Sequence, residues 1–273
     1  METLTFQQEI HLEHINLARA ALRFSQEIGY PGLAIERYLQ RLDDLADAAR
    51  LSMPFQESPV QQGVSLARYL FQESGFQGNS QKYNDPRNSY LNEVLDRKLG
   101  LPISLSVIFL AVAERLGLPA DGIGLPGHFI VGVPGPDGPL FLDPFHGGQQ
   151  LSVIDCARLV ELSTGYTGQF LSEWLQPVDS WVILTRMLYN LRNVYIQQDK
   201  WRMALPVVEH MLFLQPEHPD HLRDLGTIHR QNGELRQAII YYERYLNKVP
   251  DATDADLVQR NLQETAKVLA SLN

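Results

Sequence analysis

Apolar positions recur at helical spacing through the first fifty residues. Ala18, Leu22 and Ile28 mark one stripe, and Leu33, Ile35, Leu39, Leu42, Leu45 and Ala48 mark a second. The spacing predicts two helices over 6–50, broken at Tyr30-Pro31-Gly32. A third helix is expected over 60–75, then a glycine-marked turn at Gly75-Phe76-Gln77-Gly78-Asn79 and a second turn over 85–89. A short helix should follow from Ser89 to Leu99. The longest apolar run, Leu101 to Ala113, carries Ser104 and Ser106 and ends at Glu114-Arg115. A bilayer span takes roughly 20 apolar residues, so this run predicts a buried helix over Ser104–Leu116. The period then changes. His128–Val133 and Pro139–Pro144 read as two strands around the loop Pro134-Gly135-Pro136-Asp137-Gly138.

The last third of the chain reads as helical throughout and repeats itself. Leu188, Leu191, Tyr195, Ala204, Val208 and Pro216 recur 34 positions later as Leu222, Leu225, His229, Ala238, Tyr242 and Pro250, with Gly226 after the second leucine. That period, with a small Ala at the helix crossing and a closing Pro, is the tetratricopeptide pattern. Asn232-Gly233 marks the turn inside the second copy. Two copies fall short of the roughly three that stand alone, so they are expected to dock on neighbouring structure. A last helix over Asp254–Leu272, with Leu257, Leu262, Val268 and Leu269 as its apolar face, is expected to cap one end. The inner helix faces suggest a short peptide groove.

Charge is unevenly placed. The 273 residues carry a net −9, and all of it falls in residues 1–180; residues 181–273 hold 11 basic and 11 acidic side chains. That balance argues against a nucleic-acid backbone as partner. The lone cysteine, Cys156, excludes an internal disulfide framework and a multi-cysteine zinc site, and it suits a reducing compartment. No secretory signal is visible over Met1–Glu13, and no bilayer span is expected. The expectation is a soluble cytoplasmic protein without cofactor or metal.

Candidate chemistry lies in the hairpin. Folding it symmetrically about its loop sets His128 opposite Asp143, Ile130 opposite Phe141 and Val131 opposite Leu140. Opposed side chains share a face, about 4.5–5.5 Å apart at Cβ. A carboxylate on one imidazole nitrogen fixes the tautomer and raises the basicity of the other, as in the oriented base of a nucleophilic enzyme. The same pair also serves as a stitch at a hairpin end. A nucleophile would belong at the start of the apolar helix, where Ser104 and Ser106 stand and no cysteine does. Ser104 also reads as that helix's N-cap. Cys156 reads as a small core residue. His146 can line the same site or cap the turn at Gly147-Gly148. His11 and His14 are expected to share a solvated helix face, and His218 and His221 fall at the turn between repeats. Gly75 and Gly78 are expected at φ > 0. Asn79, Asn88 and Asn92 are expected to hold loop backbone.

Several segments occur in order: Gly75–Asn79, Asp85–Leu95, Gly100–Ser106, Arg115–Pro119, Leu125–Phe129 and Asp143–Gly148. Together with the repeats they resemble the transglutaminase-like core 2 family of bacterial proteins. The resemblance implies a mostly helical α+β fold: a helical N-terminal region, a papain/transglutaminase-like core with a small antiparallel sheet, then an all-α repeat segment. It implies a domain over 1–180, with its helical lead over 1–100 and core over 100–150, and a second over 181–273 holding two repeats and a capping helix. The superfamily uses a Cys-His-Asp triad. By this resemblance His128 and Asp143 match its His and Asp, while the cysteine position falls near Pro102 or Ser104. The expectation is therefore a catalytically degenerate module that binds a protein or peptide through its repeats. The alternative is a hydrolase or acyl-transferase using Ser104 or Ser106 with His128 and Asp143.

Overall fold

The computed structural model describes residues 4–53 and 58–272. The chain divides into two compact units. One comprises the residues up to Gln26 and Tyr30–Met187, the other Glu27–Gly29 and Leu188 onward.

The first unit opens with three helices: α1 (Phe6–Ile10), α2 (Leu17–Ile28) and α3 (Ile35–Ser52). The periodicity predicts two, because the five-residue α1 is too short to show a stripe. Thr5 starts it with a reciprocal cap against Gln8. It stops at Ile10, so His11 and His14 do not share a helix face. The His11 Nδ1–H instead donates to the Gln7 carbonyl at 2.7 Å. Helix α4 (Pro59–Arg68) has Ser58 as its N-cap and Pro59 in its first turn, and it continues as one wide turn through Glu73.

Residues 75–79 do more than turn. Gln77–Gly78 (β1) pairs in parallel with Leu99–Gly100 (β2), on either side of α5 (Leu91–Arg97). Gly75 takes φ +81°, but Gly78 has no positive φ. Its reason is crowding: a Cβ there would lie 2.5 Å from the Phe145 carbonyl oxygen. Asn79 and Asn88 hold this region as expected. Asn79 donates to Asn88 Oδ1 at 3.0 Å, and Asn88 donates to the carbonyls of Lys82 and Tyr83. Asn92 Oδ1 is buried with no hydrogen-bond partner among the described residues.

Helix α6 (Pro102–Leu116) is the unit's central element. Every residue from Pro102 to Ala113 except Leu110 is buried, as an all-round apolar helix requires. Gly117, at φ +71°, ends it. An antiparallel five-stranded sheet follows: β3 (Asp121–Ile123), β4 (Ile130–Val133), β5 (Leu140–Asp143), β6 (Gln149–Leu151) and β7 (Pro177–Val178), in spatial order β6-β5-β4-β3-β7. All four β4 residues are buried, so β4 is covered on both faces and its sequence is continuously apolar. Helix α7 (Val153–Thr164) places Cys156 in the core with Ile123, Leu125, Ile130, Phe141 and Val160.

The second unit is all helical. It takes the later part of α8 (Ser180–Gln197), then α9 (Trp201–Leu214), α10 (Asp220–Gln231), α11 (Leu235–Lys248) and α12 (Ala255–Ser271). Its backbone repeats as closely as its sequence. Helices α9 and α11 start and stop 34 positions apart. The turns before them place Asp199 (φ +53°) and Gly233 (φ +81°) at equivalent positions. Leu188, Leu191, Ala204, Leu225, Ala238 and Tyr242 are wholly buried, and Tyr195 and Leu222 nearly so. Pro216 and Pro250 stand exposed just past the ends of α9 and α11. On α12 the inward face is Val258, Leu262 and Thr265. Leu257 and Val268, expected inward, are exposed.

Candidate functional site

The site forms where β4 and β5 meet the turn after β5. The hairpin register differs from the symmetric one by two residues: Val131 pairs with Leu142, Gly132 with Phe141 and Val133 with Leu140. A shift of two keeps every side chain on its face. His128 lies two residues before β4, just after Gly127 at φ +71°. Asp143 ends β5 and starts a 3-10 turn over Pro144–His146. The two side chains still meet, with His128 Nε2 3.0 Å from Asp143 Oδ2.

Asp143 is the hub. It is 1% exposed, and four donors converge on its two oxygens. Oδ1 accepts from the Phe145 and His146 backbone N–H groups at 3.0 and 3.3 Å. Oδ2 accepts from His128 Nε2–H and, at 2.7 Å, from His146 Nδ1–H. Burial pushes the carboxyl toward its neutral form. The two imidazole hydrogen bonds outweigh it and hold the group well below the usual carboxylate range. The hydrogen bond to Asp143 raises the His146 pKa in turn, against its partial burial. The two imidazole rings stack at 5.7 Å with 22° between their planes. With Nε2 donating, His128 carries a lone pair on Nδ1, and that atom has no hydrogen-bond partner among the described residues.

Residues that the sequence pattern does not flag complete the surroundings. The Phe145 ring stands edge-on to Tyr83, His128 and His146. Arg186 donates to the carbonyls of Leu125 and His128 at 2.7 and 2.6 Å, fixing the turn that carries His128. Its guanidinium lies 5.5 Å over the Phe129 ring and has no carboxylate partner among the described residues. Burial lowers its pKa. No local motif marks this arginine, because its role depends on carbonyls about sixty positions earlier.

Both serines are tied to α6. The helix N-cap is Leu101, not Ser104, which stands in the third helical position. The Ser104 hydroxyl reaches back to accept from the Leu101 N–H at 2.9 Å and donates to the Asn88 carbonyl at 2.7 Å. It therefore does a cap's work from inside the helix. Ser106 donates to the Pro102 carbonyl at 2.9 Å. Both side chains are 0% exposed, and neither hydroxyl bonds to His128. Pro102 takes the first helical position. The Cys156 thiol is pushed up to about 11, first by burial and then by the Asp155 and Asp143 charges, far from the thiolate a nucleophile needs. Among the described residues no serine or cysteine is hydrogen-bonded to the His128–Asp143–His146 cluster.

Comparison with known proteins places the chain's two sequence regions in known families. The sequence profile of the transglutaminase-like superfamily, in its core 2 form, matches residues 36–189, and a tetratricopeptide-repeat profile matches residues 191–263. A UPF0162 protein of Xylella fastidiosa (strain Temecula1) is 43% identical over 205 residues, covering 73% of this chain and 72% of that protein. A UPF0162 protein of Vibrio cholerae is 27% identical over 249 residues, 90% of each chain. F-box only protein 21 of Mus musculus is 33% identical over 134 residues, 46% of this chain and 20% of that protein.

Proposed function

The chain belongs to the transglutaminase-like superfamily, in its core 2 form with tetratricopeptide repeats, and from that membership we propose that it is a catalytically silent protein-binding module. The transglutaminase-like unit keeps the His128–Asp143 pair but has no working nucleophile. The observation that carries this reading is the start of α6. Pro102 occupies its first position, and the nearby Ser104 and Ser106 hydroxyls are buried and bonded to backbone carbonyls. A serine becomes a nucleophile only beside a base in good geometry, and the helix dipole alone does not ionise it.

The repeats supply the binding side of the reading. Tetratricopeptide repeats generally mediate protein–protein contact, and the partner proposed is a protein or peptide held by the second unit. The net charge of −9 speaks against a nucleic acid. Among the described residues no helix is long and apolar enough to cross a membrane, and the reading places the chain in the cytoplasm.

The test is crosslinking in cells followed by reconstitution. A photoreactive residue replaces exposed Asn193 or Gln237 on the repeats, or exposed Leu51 in the other unit. The expected result is one discrete protein adduct at repeat positions, absent at Leu51, whose purified partner rebinds the purified chain. No discrete adduct at the repeats overturns the reading.

The competing reading, a hydrolase using Ser104 or Ser106, draws its support from the His128–Asp143 pair alone. It requires one of the two hydroxyls to leave its backbone acceptor and reach His128. Phosphonylation of an activated serine separates the two readings.

A further inference from the structure

We propose that His128, Asp143 and His146 form a binding site for one divalent transition-metal ion of the zinc and iron(II) class. The proposal stands apart from the protein-binding reading and does not require it.

Geometry carries it. One donor atom from each of the three residues lies within 4.8 Å of the other two. Two of the edges are already short: Asp143 Oδ2 is 3.0 Å from His128 Nε2 and 2.7 Å from His146 Nδ1. Ligands about 2.0–2.2 Å from a tetrahedral ion stand roughly 3.3–3.5 Å apart. The trio therefore has to open by about 0.3–0.5 Å at the His128 edge and about 0.6–0.8 Å at the His146 edge. His146 lies in a three-residue turn followed by Gly147 and Gly148, both at positive φ, and its side chain is half exposed.

The supporting shell is already built. Asp143 Oδ1 is held by two backbone N–H groups, which leaves Oδ2 as the presented ligand. Arg186 holds the His128 carbonyl. Such outer contacts orient metal ligands. Access also exists: His128 and Asp143 are buried, while the His146 side chain is half exposed. Two imidazoles and one carboxylate leave coordination positions open, the donor set that suits zinc and non-haem iron(II).

Binding through these atoms requires each imidazole to move its N–H proton away from Asp143. In the free site the protons sit on His128 Nε2 and His146 Nδ1. In the metal-bound site they sit on His128 Nδ1 and His146 Nε2, with solvent exchanging them. The change in tautomer is a signature that a simple hydrogen-bonded stitch would not give.

The experiment strips the full chain with EDTA and titrates it with Co2+, then displaces the cobalt with Zn2+. The expected result is one Co2+ per chain with a visible d–d spectrum of a nitrogen–oxygen site, abolished by Zn2+. The ring-nitrogen NMR shifts of His128 should report the tautomer change on Zn2+ addition. His146→Ala and the bulkier His146→Gln, both at a half-exposed position, should fold as the parent chain does and weaken binding at least ~10-fold. His218→Ala, in the stacked His218–His221 pair of the other unit, should leave binding unchanged. Absence of saturable cobalt binding overturns the proposal. Binding unaltered by both His146 substitutions, or lost in His218→Ala, overturns it as well.

Discussion

The Tyr242 ring lies directly over Gly226, so close that a Cβ on Gly226 would fall 2.5 Å from the ring. Helices α10 and α11 meet at this point, and Tyr242 is wholly buried there. A glycine is needed because only a bare backbone admits the ring. Gly226→Ala is expected to lower stability by about 1–3 kcal/mol, the range for overpacking a well-filled core. Urea unfolding of the two proteins measures it, and an unchanged midpoint would contradict this packing account.

Asp199 and Gly233 occupy the same place in successive repeats, both with positive φ. Only Gly233 is free of the steric penalty there, roughly 1–2 kcal/mol for an L-residue and smaller for Asp. Asp199→Gly should therefore raise the melting temperature, and Gly233→Ala should lower it. Opposite signs at equivalent positions are the diagnostic result of a paired thermal-unfolding measurement.

Ser104 and Ser106 should separate by stability. Ser104→Ala leaves the buried Leu101 N–H without its side-chain acceptor and the Asn88 carbonyl without that donor. The Leu101 N–H and the Asn88 carbonyl keep only their own long contact at 3.4 Å, and a cost of about 1–3 kcal/mol is expected for losing the two buried hydroxyl bonds. Ser106→Ala removes a bond to a carbonyl one turn back in the same helix, so a change under about 1 kcal/mol is expected. Equal losses in denaturant unfolding would show that the Ser104 contacts do not hold the start of α6.

His221 gives the second unit a pH dependence. It is fully buried and bonded to Gln215 Oε1 at 3.2 Å, and its rings neighbour His218 and Tyr189. Burial first, then the positive charges of His218 and Arg192, push it down to about 4. The folded pKa lies below the unfolded value near ~6.5, so the unfolded chain takes up the proton first as pH falls. The stability that neutral His221 contributes is intact above pH ~6.5 and is lost progressively down to pH about 4. Unfolding free energies from urea titrations at stepped pH should fall through that window by up to a few kcal/mol in the parent chain. His221→Gln should flatten the slope, and an unaltered slope would assign the effect elsewhere.

The hairpin shows what local pattern delivers and what it misses. Alternation and the loop prolines place His128 and Asp143 side by side, and they are. The pairing is nevertheless Val131 with Leu142, two residues from the symmetric register. The contact survives because a two-residue slip keeps the face, and because His128 and Asp143 both lie at strand ends where a turn can bring them together. His146 becomes a full partner through a proline-started 3-10 turn, whose geometry no period-two pattern encodes. Gly78 reads as a turn glycine, yet it is required by the passage of Phe145, sixty-seven positions away in sequence. The repeats are legible because their information is local and occurs twice. The Leu99–Gly100 bridge and the Arg186 contacts are not, because they join distant segments through backbone atoms that carry no residue code.

Intact-mass analysis after exposure to a fluorophosphonate tests the central claim most directly, since a serine activated by a neighbouring base attacks its phosphorus, expels fluoride and keeps the phosphonyl group. The parent chain and His128→Ala are treated side by side. The account expects no adduct on either, because both α6 hydroxyls are buried and bound to backbone carbonyls. One adduct per chain at Ser104 or Ser106, present in the parent and missing in His128→Ala, would make the unit a serine enzyme and contradict the account.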